Sequence, residues 1–259
     1  MNFKKFLLFC LFTCWVTTLF ACKNELKSEN SASINVETSN DESKVVELEA
    51  PVLKVDSVDI SDVEGGKTYQ TIRYAVVTCK NNQALQESLD TLNANMKKDA
   101  EDFKVNNKDG IRDFIKETPD MQDAEYSHTS DIAITRNDNK YLSLTEFVYV
   151  NTMGAHGNYV QNGHVYDVET GNKLGLYDFV KDKEELRNYL KEWVDNNKDS
   201  MGLFDEAKDT IDAYINGEYE LQFYIDNKLT IIFQTYDVAP YAAGLIEIGL
   251  DDKLLKVKL

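Results

Sequence analysis

Apolar and polar positions alternate in several short runs along the chain. Ile72, Tyr74 and Val76 share one face of a predicted strand, and Leu142, Leu144, Val148 and Val150 share a face of another. Asn137-Asp138-Asn139 separates two such runs, a turn composition that predicts a hairpin. A second hairpin is predicted where Tyr219, Leu221, Phe223 and Ile225 lead into Asp226-Asn227 and then Leu229, Ile231 and Phe233. Antiparallel pairing follows for the C-terminal half. Two segments carry the helical period instead. Leu85, Leu89, Leu92, Met96, Ala100 and Phe103 form one stripe with charged and amide side chains opposite, which predicts a helix lying on a sheet face. Asp182 and Glu185 have capping-box spacing ahead of Leu186, Tyr189, Leu190, Trp193 and Val194. The order of strands, helix, strands, helix and hairpin predicts an α+β fold. Its sheet is mainly antiparallel, with two principal packed helices, in one large domain or two small subdomains.

The N-terminus reads differently. Lys4 and Lys5 precede an apolar run from Phe6 to Phe20, which ends in Leu19-Phe20-Ala21-Cys22. A basic start, a short apolar core and a small residue before a cut describe a secretory leader over residues 1–21. The run is shorter than the roughly 20 apolar residues a spanning helix needs. Leu-x-Ala-Cys resembles the lipobox of bacterial lipoproteins, which makes Cys22 the expected lipidation site and the cell envelope the expected location. The Lys23-Asn24-Glu25 start resembles an export signal of surface lipoproteins, pointing to the outer membrane or cell surface. Residues 22–50 are rich in Ser, Asn, Glu and Lys and contain no aromatic side chain. So little apolar surface cannot offset chain entropy, and the segment reads as a flexible acidic tether.

Loss of Lys4 and Lys5 with the leader takes the 28 basic side chains to 26 against 45 acidic ones, a net charge of −19. Such a chain repels nucleic-acid phosphates and attracts basic partners. Of the cysteines, Cys10 and Cys14 leave with the leader and Cys22 carries lipid. Cys79 alone remains, so no internal disulfide and no cysteine metal cluster is expected. It follows Ala75-Val76-Val77 and reads as a buried thiol.

No Gly-x-Ser-x-Gly elbow, His-Glu-x-x-His pair or phosphate-gripping glycine loop is present. The histidines are His128, His156 and His164. A zinc site would need His156 and His164 on adjacent antiparallel strands, completed by an acid such as Asp167. The competing reading is histidines that are hydrogen-bonded or solvated near strand ends. No metal and no cofactor is expected.

Two stretches resemble a known family. Gly154-Ala155-His156-Gly157-Asn158, with Tyr166-Asp167-Val168-Glu169-Thr170-Gly171-Asn172 and the following Lys173-Leu174-Gly175-Leu176-Tyr177-Asp178-Phe179, resembles the core signature of the DUF3298 domain. Phe233-Gln234-Thr235-Tyr236-Asp237-Val238-Ala239-Pro240-Tyr241-Ala242-Ala243-Gly244 is similar to the ending of that family. Met153 stands where the family commonly has a second glycine. The N-terminal half resembles, in layout, the DUF4163 or PdaC-like domain that often precedes DUF3298. The resemblance divides the folded part into 51–139 and 140–259.

One relative uses this domain pair as the exterior part of a lysozyme-sensing anti-sigma factor, and another carries it beside a peptidoglycan deacetylase domain. The Asp-Asp and His-x-x-x-His metal motifs of that deacetylase have no counterpart here, and neither does a segment for holding a sigma factor. The resemblance implies a non-catalytic binding module that recognises a basic cell-wall hydrolase such as lysozyme, or another basic envelope protein. Gly154, His156, Asn158, Tyr236 and Tyr241 are the candidate contacts, because tyrosine is favoured at binding surfaces. Two alternatives stay open: peptidoglycan or glycan binding by stacked tyrosines, and a cell-wall hydrolase or deacetylase accessory using His156 and nearby acids.

Overall fold

A computed structural model describes residues 48–259, so the leader, Cys22 and the tether up to residue 47 lie outside the described residues. β1 (Leu53–Glu64) and β2 (Lys67–Cys79) form a long hairpin, turned at Gly65-Gly66. The chain then crosses through α1 (Gln83–Glu117) to β3 (Tyr126–Asn137). A crossover through a helix returns the next strand in the same direction, so β2 and β3 are parallel. β4 (Tyr141–Asn151), β5 (Asn158–Asp167) and the two-residue β6 (Lys173–Leu174) add on antiparallel, giving one six-stranded sheet in chain order. A single-turn α2 (Leu176–Phe179), then α3 (Lys183–Met201) and α4 (Ala207–Asn216), lead to a second sheet. That sheet is three-stranded and antiparallel: β7 (Gln222–Ile225), β8 (Leu229–Phe233) and β9 (Ile246–Gly249).

The expected α+β class, both expected hairpins and both expected helices are found. Every residue of the first apolar stripe is buried, and the helix runs on past Phe103 to bury Ile111 as well. Asn82 starts α1: its Oδ1 accepts from the Leu85 N–H at 3.0 Å, and its Nδ2 donates to the Val168 carbonyl at 2.6 Å. Asp182 starts α3 by accepting from the N–H groups of Glu184 and Glu185 at 2.8 and 2.9 Å. Cys79 is a free, buried thiol.

The large sheet separates two apolar cores. Leu142, Leu144 and Tyr166 face α1 along with Ile72 and Val77, whereas Tyr141 and Val165 face the second core, built around α3, α4 and the small sheet. Leu142 and Leu144 lie on the α1 side of β4, and the next residue on that side is Glu146, an acid with 6% of its surface exposed. The place where the sequence divides the folded part, between 139 and 140, is the turn joining β3 and β4, neighbouring strands of one sheet.

The two sheets meet closely at Gly163 on β5. A Cβ there would lie 1.6 Å from the Phe223 carbonyl oxygen, so only glycine admits the β7 backbone. Side chains of the large sheet satisfy the facing groups of β7: Ile225 N–H donates to Ser143 Oγ at 2.8 Å, and Thr135 Oγ1 donates to the Ile225 carbonyl at 2.9 Å.

Candidate functional site

The loop between β4 and β5 carries Gly154 and His156, Asn158 opens β5, and the loop between β8 and β9 carries Tyr236 and Tyr241. Folding brings the two loops together. The His156 ring lies on the Tyr241 ring, centroids 3.9 Å apart and planes 23° from parallel. Its Nδ1 is 2.9 Å from the Gly157 carbonyl, which only accepts, so Nδ1 is the donor in that contact. Nε2 is then free to accept from Tyr236 Oη, 3.4 Å away. Tyr241 Oη donates to the same Gly157 carbonyl at 2.7 Å. Tyr159 meets Tyr241 edge-on at 5.5 Å and continues to Phe147 at 5.4 Å. The result is a row of rings, with Tyr236 55% and Phe147 37% exposed.

Both loops are held in uncommon backbone conformations. Among the described residues, Met153 (φ 58°) and Tyr236 (φ 70°) are the non-glycine residues with positive φ. At Met153 the backbone takes a conformation that glycine favours while carrying a side chain that packs on the α1 core. A Cβ on Gly157 would have to displace the Tyr149 ring, which lies where that atom would be, whereas Gly154 has neither positive φ nor a close neighbour. Gln234 ties the second loop to β5. Its Oε1 accepts from the Gln161 N–H and its Nε2 donates to the Gln161 carbonyl, both at 2.9 Å.

His164 is elsewhere. It lies in a buried polar group on the α1 side of the sheet, centred on Glu146. That carboxylate accepts from Ser130 Oγ at 2.7 Å, Asn162 Nδ2 at 3.2 Å and His164 Nε2 at 3.4 Å. Burial opposes its charge, but these donors outweigh it and hold Glu146 below the usual carboxylate range. His128, packed against Phe103, is pushed down by burial and stays neutral at pH 7. The nearby Tyr166 hydroxyl is pushed up to about 12, chiefly by burial. Ser130 donates directly to Glu146 and His164 bonds to Glu146 instead of to Ser130, so the group has the parts of a hydrolytic triad without its order.

His156 and His164 are thus apart, one in the exposed row and one buried. Among the described residues, no three His, Cys, Asp or Glu side chains converge as metal ligands. Asp167 accepts from the N–H and hydroxyl of Thr170, stabilising the turn between β5 and β6. Sequence reasoning missed Glu146; its signal was an acid interrupting the Leu142–Val150 alternation.

Residues 66–159 match the family model described as "Deacetylase PdaC", and residues 177–251 match the model for a protein of unknown function, DUF3298. The aromatic row takes Phe147, His156 and Tyr159 from the first stretch, and Tyr236 and Tyr241 from the second. No curated protein matches the chain. A crystal structure of a DUF3298 family member from Bacteroides fragilis NCTC 9343 is similar in fold, with 18% identity and a TM-score of 0.57, covering 81% of this chain and 96% of its own. A DUF3298 family protein from Pseudomonas aeruginosa PAO1 aligns with 15% identity and a TM-score of 0.49 over 80% and 96% of the two chains. The chain thus carries a match to the DUF3298 model in its C-terminal part and a match to the PdaC model ahead of it.

Proposed function

We propose that this protein is a non-catalytic binding module of the bacterial cell envelope, anchored through lipid on Cys22. In this reading its aromatic row takes a basic protein partner such as a cell-wall hydrolase of the lysozyme kind. The observation that carries the proposal is the row itself: exposed Tyr236 and His156 on loops held by Gln234 and Tyr241. Tyrosines that keep few rotatable bonds and present both an apolar face and a hydroxyl are the residues on which interfaces concentrate binding energy. The excess of 45 acidic over 28 basic side chains would speed encounter with a basic partner. A non-catalytic role is supported by the burial of the Glu146–His164 pair, which gives a substrate no access.

Equilibrium binding of the purified protein to a basic lysozyme, at low and at physiological salt, tests this reading. The control is a basic non-enzyme protein of similar charge. Selective binding that persists at physiological salt supports it; equal binding to the control, or none, rejects it. A glycan ligand is the second reading, favoured by the exposed ring of Tyr236, on which a sugar could stack. Binding to soluble peptidoglycan fragments that hardly changes with salt would select it.

A further inference from the structure

We propose that the outer edge of β1 is a strand-addition site for an extended basic segment of a partner protein, separate from the aromatic row. β1 is the terminal strand of the six-stranded sheet, and among the described residues only β2 pairs with it. The free side of its backbone follows from register. The Val52 carbonyl accepts from the Lys80 N–H at 3.0 Å, so Val52 faces β2. Backbone groups of a strand alternate sides, so Lys54, Asp56, Val58 and Ile60 also face β2, and Leu53, Val55, Ser57, Asp59 and Ser61 face outward. The Ser61 carbonyl is taken by Lys104 Nζ at 3.3 Å. Leu53 to Asp59 therefore offers four outward residues, each with one N–H and one C=O.

Exposed edges are commonly blunted by shortness, proline, a bulge or a covering element. β1 has 12 residues and no proline, and its one register shift falls at Asp62/Val63, beyond the outward run. Val55 and Val58, on opposite faces, are 40% and 38% exposed, so a partner strand would find apolar surface on both sides.

Charge decides the occupant. The strand carries Asp56, Asp59, Asp62 and Glu64 against one lysine, Lys54. Arg112 of α1 pairs with Asp62 and Glu64, and Lys54 pairs with Asp56, which among the described residues leaves Asp59 without an ion pair in the outward run. Two copies of β1 laid edge to edge would set this acidic strand against itself, in a chain of net charge −17. A strand alternating apolar and basic residues would meet Asp59 with a cation and the valines with apolar side chains.

The test uses fluorescent peptides of alternating valine and lysine, or valine and glutamate, titrated with the purified protein and with Ser57→Pro. Proline at 57 removes an outward N–H and leaves the ladder to β2 whole. The lysine peptide is expected to bind at least tenfold tighter than the glutamate peptide, and Ser57→Pro to weaken it at least tenfold without lowering Tm. Should Ser57→Pro fail to fold, Asp59→Lys leaves the backbone intact and should reverse the preference between peptides. Equal binding by wild type and variant, equal binding of the two peptides, or no binding overturns the proposal. So does a dimer that Ser57→Pro abolishes, which would make the occupant a second copy.

Discussion

The imidazole of His156 lies flat on the ring of Tyr241, 3.9 Å between centroids, although 84 residues separate Gly157 next to His156 from Tyr241 in the chain. Stacked aromatic pairs of this kind contribute about 0.5–1.5 kcal/mol beyond their buried area. Tyr241 also bonds to the Gly157 carbonyl, so one residue positions the whole β4–β5 loop. Tyr241→Ala should therefore disturb both loops, whereas Tyr241→Phe should keep the stacking and lose one hydrogen bond, about 1 kcal/mol of stability. Urea unfolding of the two variants measures the difference.

Tyr236→Gly separates binding from stability. Glycine accepts φ 70° without strain, and the lost ring is 55% exposed, so the Tm should hold or rise slightly. Affinity for the proposed basic partner should fall by about 2 kcal/mol, or roughly thirtyfold, in the same titration that tests the proposed function. Unchanged affinity would remove Tyr236 from the contact surface.

Gly163→Ala should be among the most damaging single-methyl changes in the chain. The added Cβ meets backbone of β7 at 1.6 Å, and relieving that contact means separating the two sheets. Overpacking typically costs 1–3 kcal/mol, and a loss of about 3 kcal/mol or more is expected because neither backbone can rotate away. Gly154→Ala, with its nearest atom at 3.8 Å, should change stability by less than about 0.5 kcal/mol. Chemical denaturation of the pair gives the comparison.

Acid should destabilise the fold in two stages. His128 is held below its ordinary value of 6.5 by burial, so the unfolded chain binds its proton first and stability falls as pH drops below about 6.5. Glu146 is held below its ordinary value of 4.5 by its three donors, so the stability it adds is present above 4.5 and disappears as pH falls through its lower folded value. His128→Phe should flatten the first stage and leave the second. Glu146→Ala strands Ser130, Asn162 and His164 and should cost about 3 kcal/mol at pH 7. Melting curves between pH 3 and pH 8, on the order of half a unit apart, would resolve both.

The two helix starts should respond unequally. Asp182→Ala removes a cap worth about 1 kcal/mol. Asn82→Ala removes a cap and also the bond from its Nδ2 to Val168, which ties α1 to the end of β5, so its cost should be about twice as large. Asn82→Asp keeps the cap acceptor and loses only the donor, and its Tm should fall between wild type and Asn82→Ala.

What could be read without coordinates was whatever local periodicity encodes. The stripe from Leu85 to Phe103, the start at Asp182 and the turns at Asn137–Asn139 and Asp226-Asn227 each need only a few neighbouring residues to declare themselves. β1 and α4 escaped that reading. β1 is an exposed edge whose aspartates break the apolar alternation, and α4 buries only Ala207, Ile211 and Ile215 in ten residues. The parallel pairing of β2 and β3 was hidden as well, because it depends on where the crossover returns the chain.

His156, Tyr236 and Tyr241 were named from the residues of two separate loops; that these loops touch, with His156 on Tyr241 and Gln234 bonded to Gln161, was decided by packing of the small sheet against β5 at Gly163. The antiparallel register of β4 and β5, which sets His164 opposite Leu144, put His164 beside Glu146 instead of beside His156. Side-chain type and local period act through the nearest turn or strand and so are written in the chain itself. Contacts between loops far apart in sequence depend on how two sheets share one buried interface, and only the folded molecule determines that.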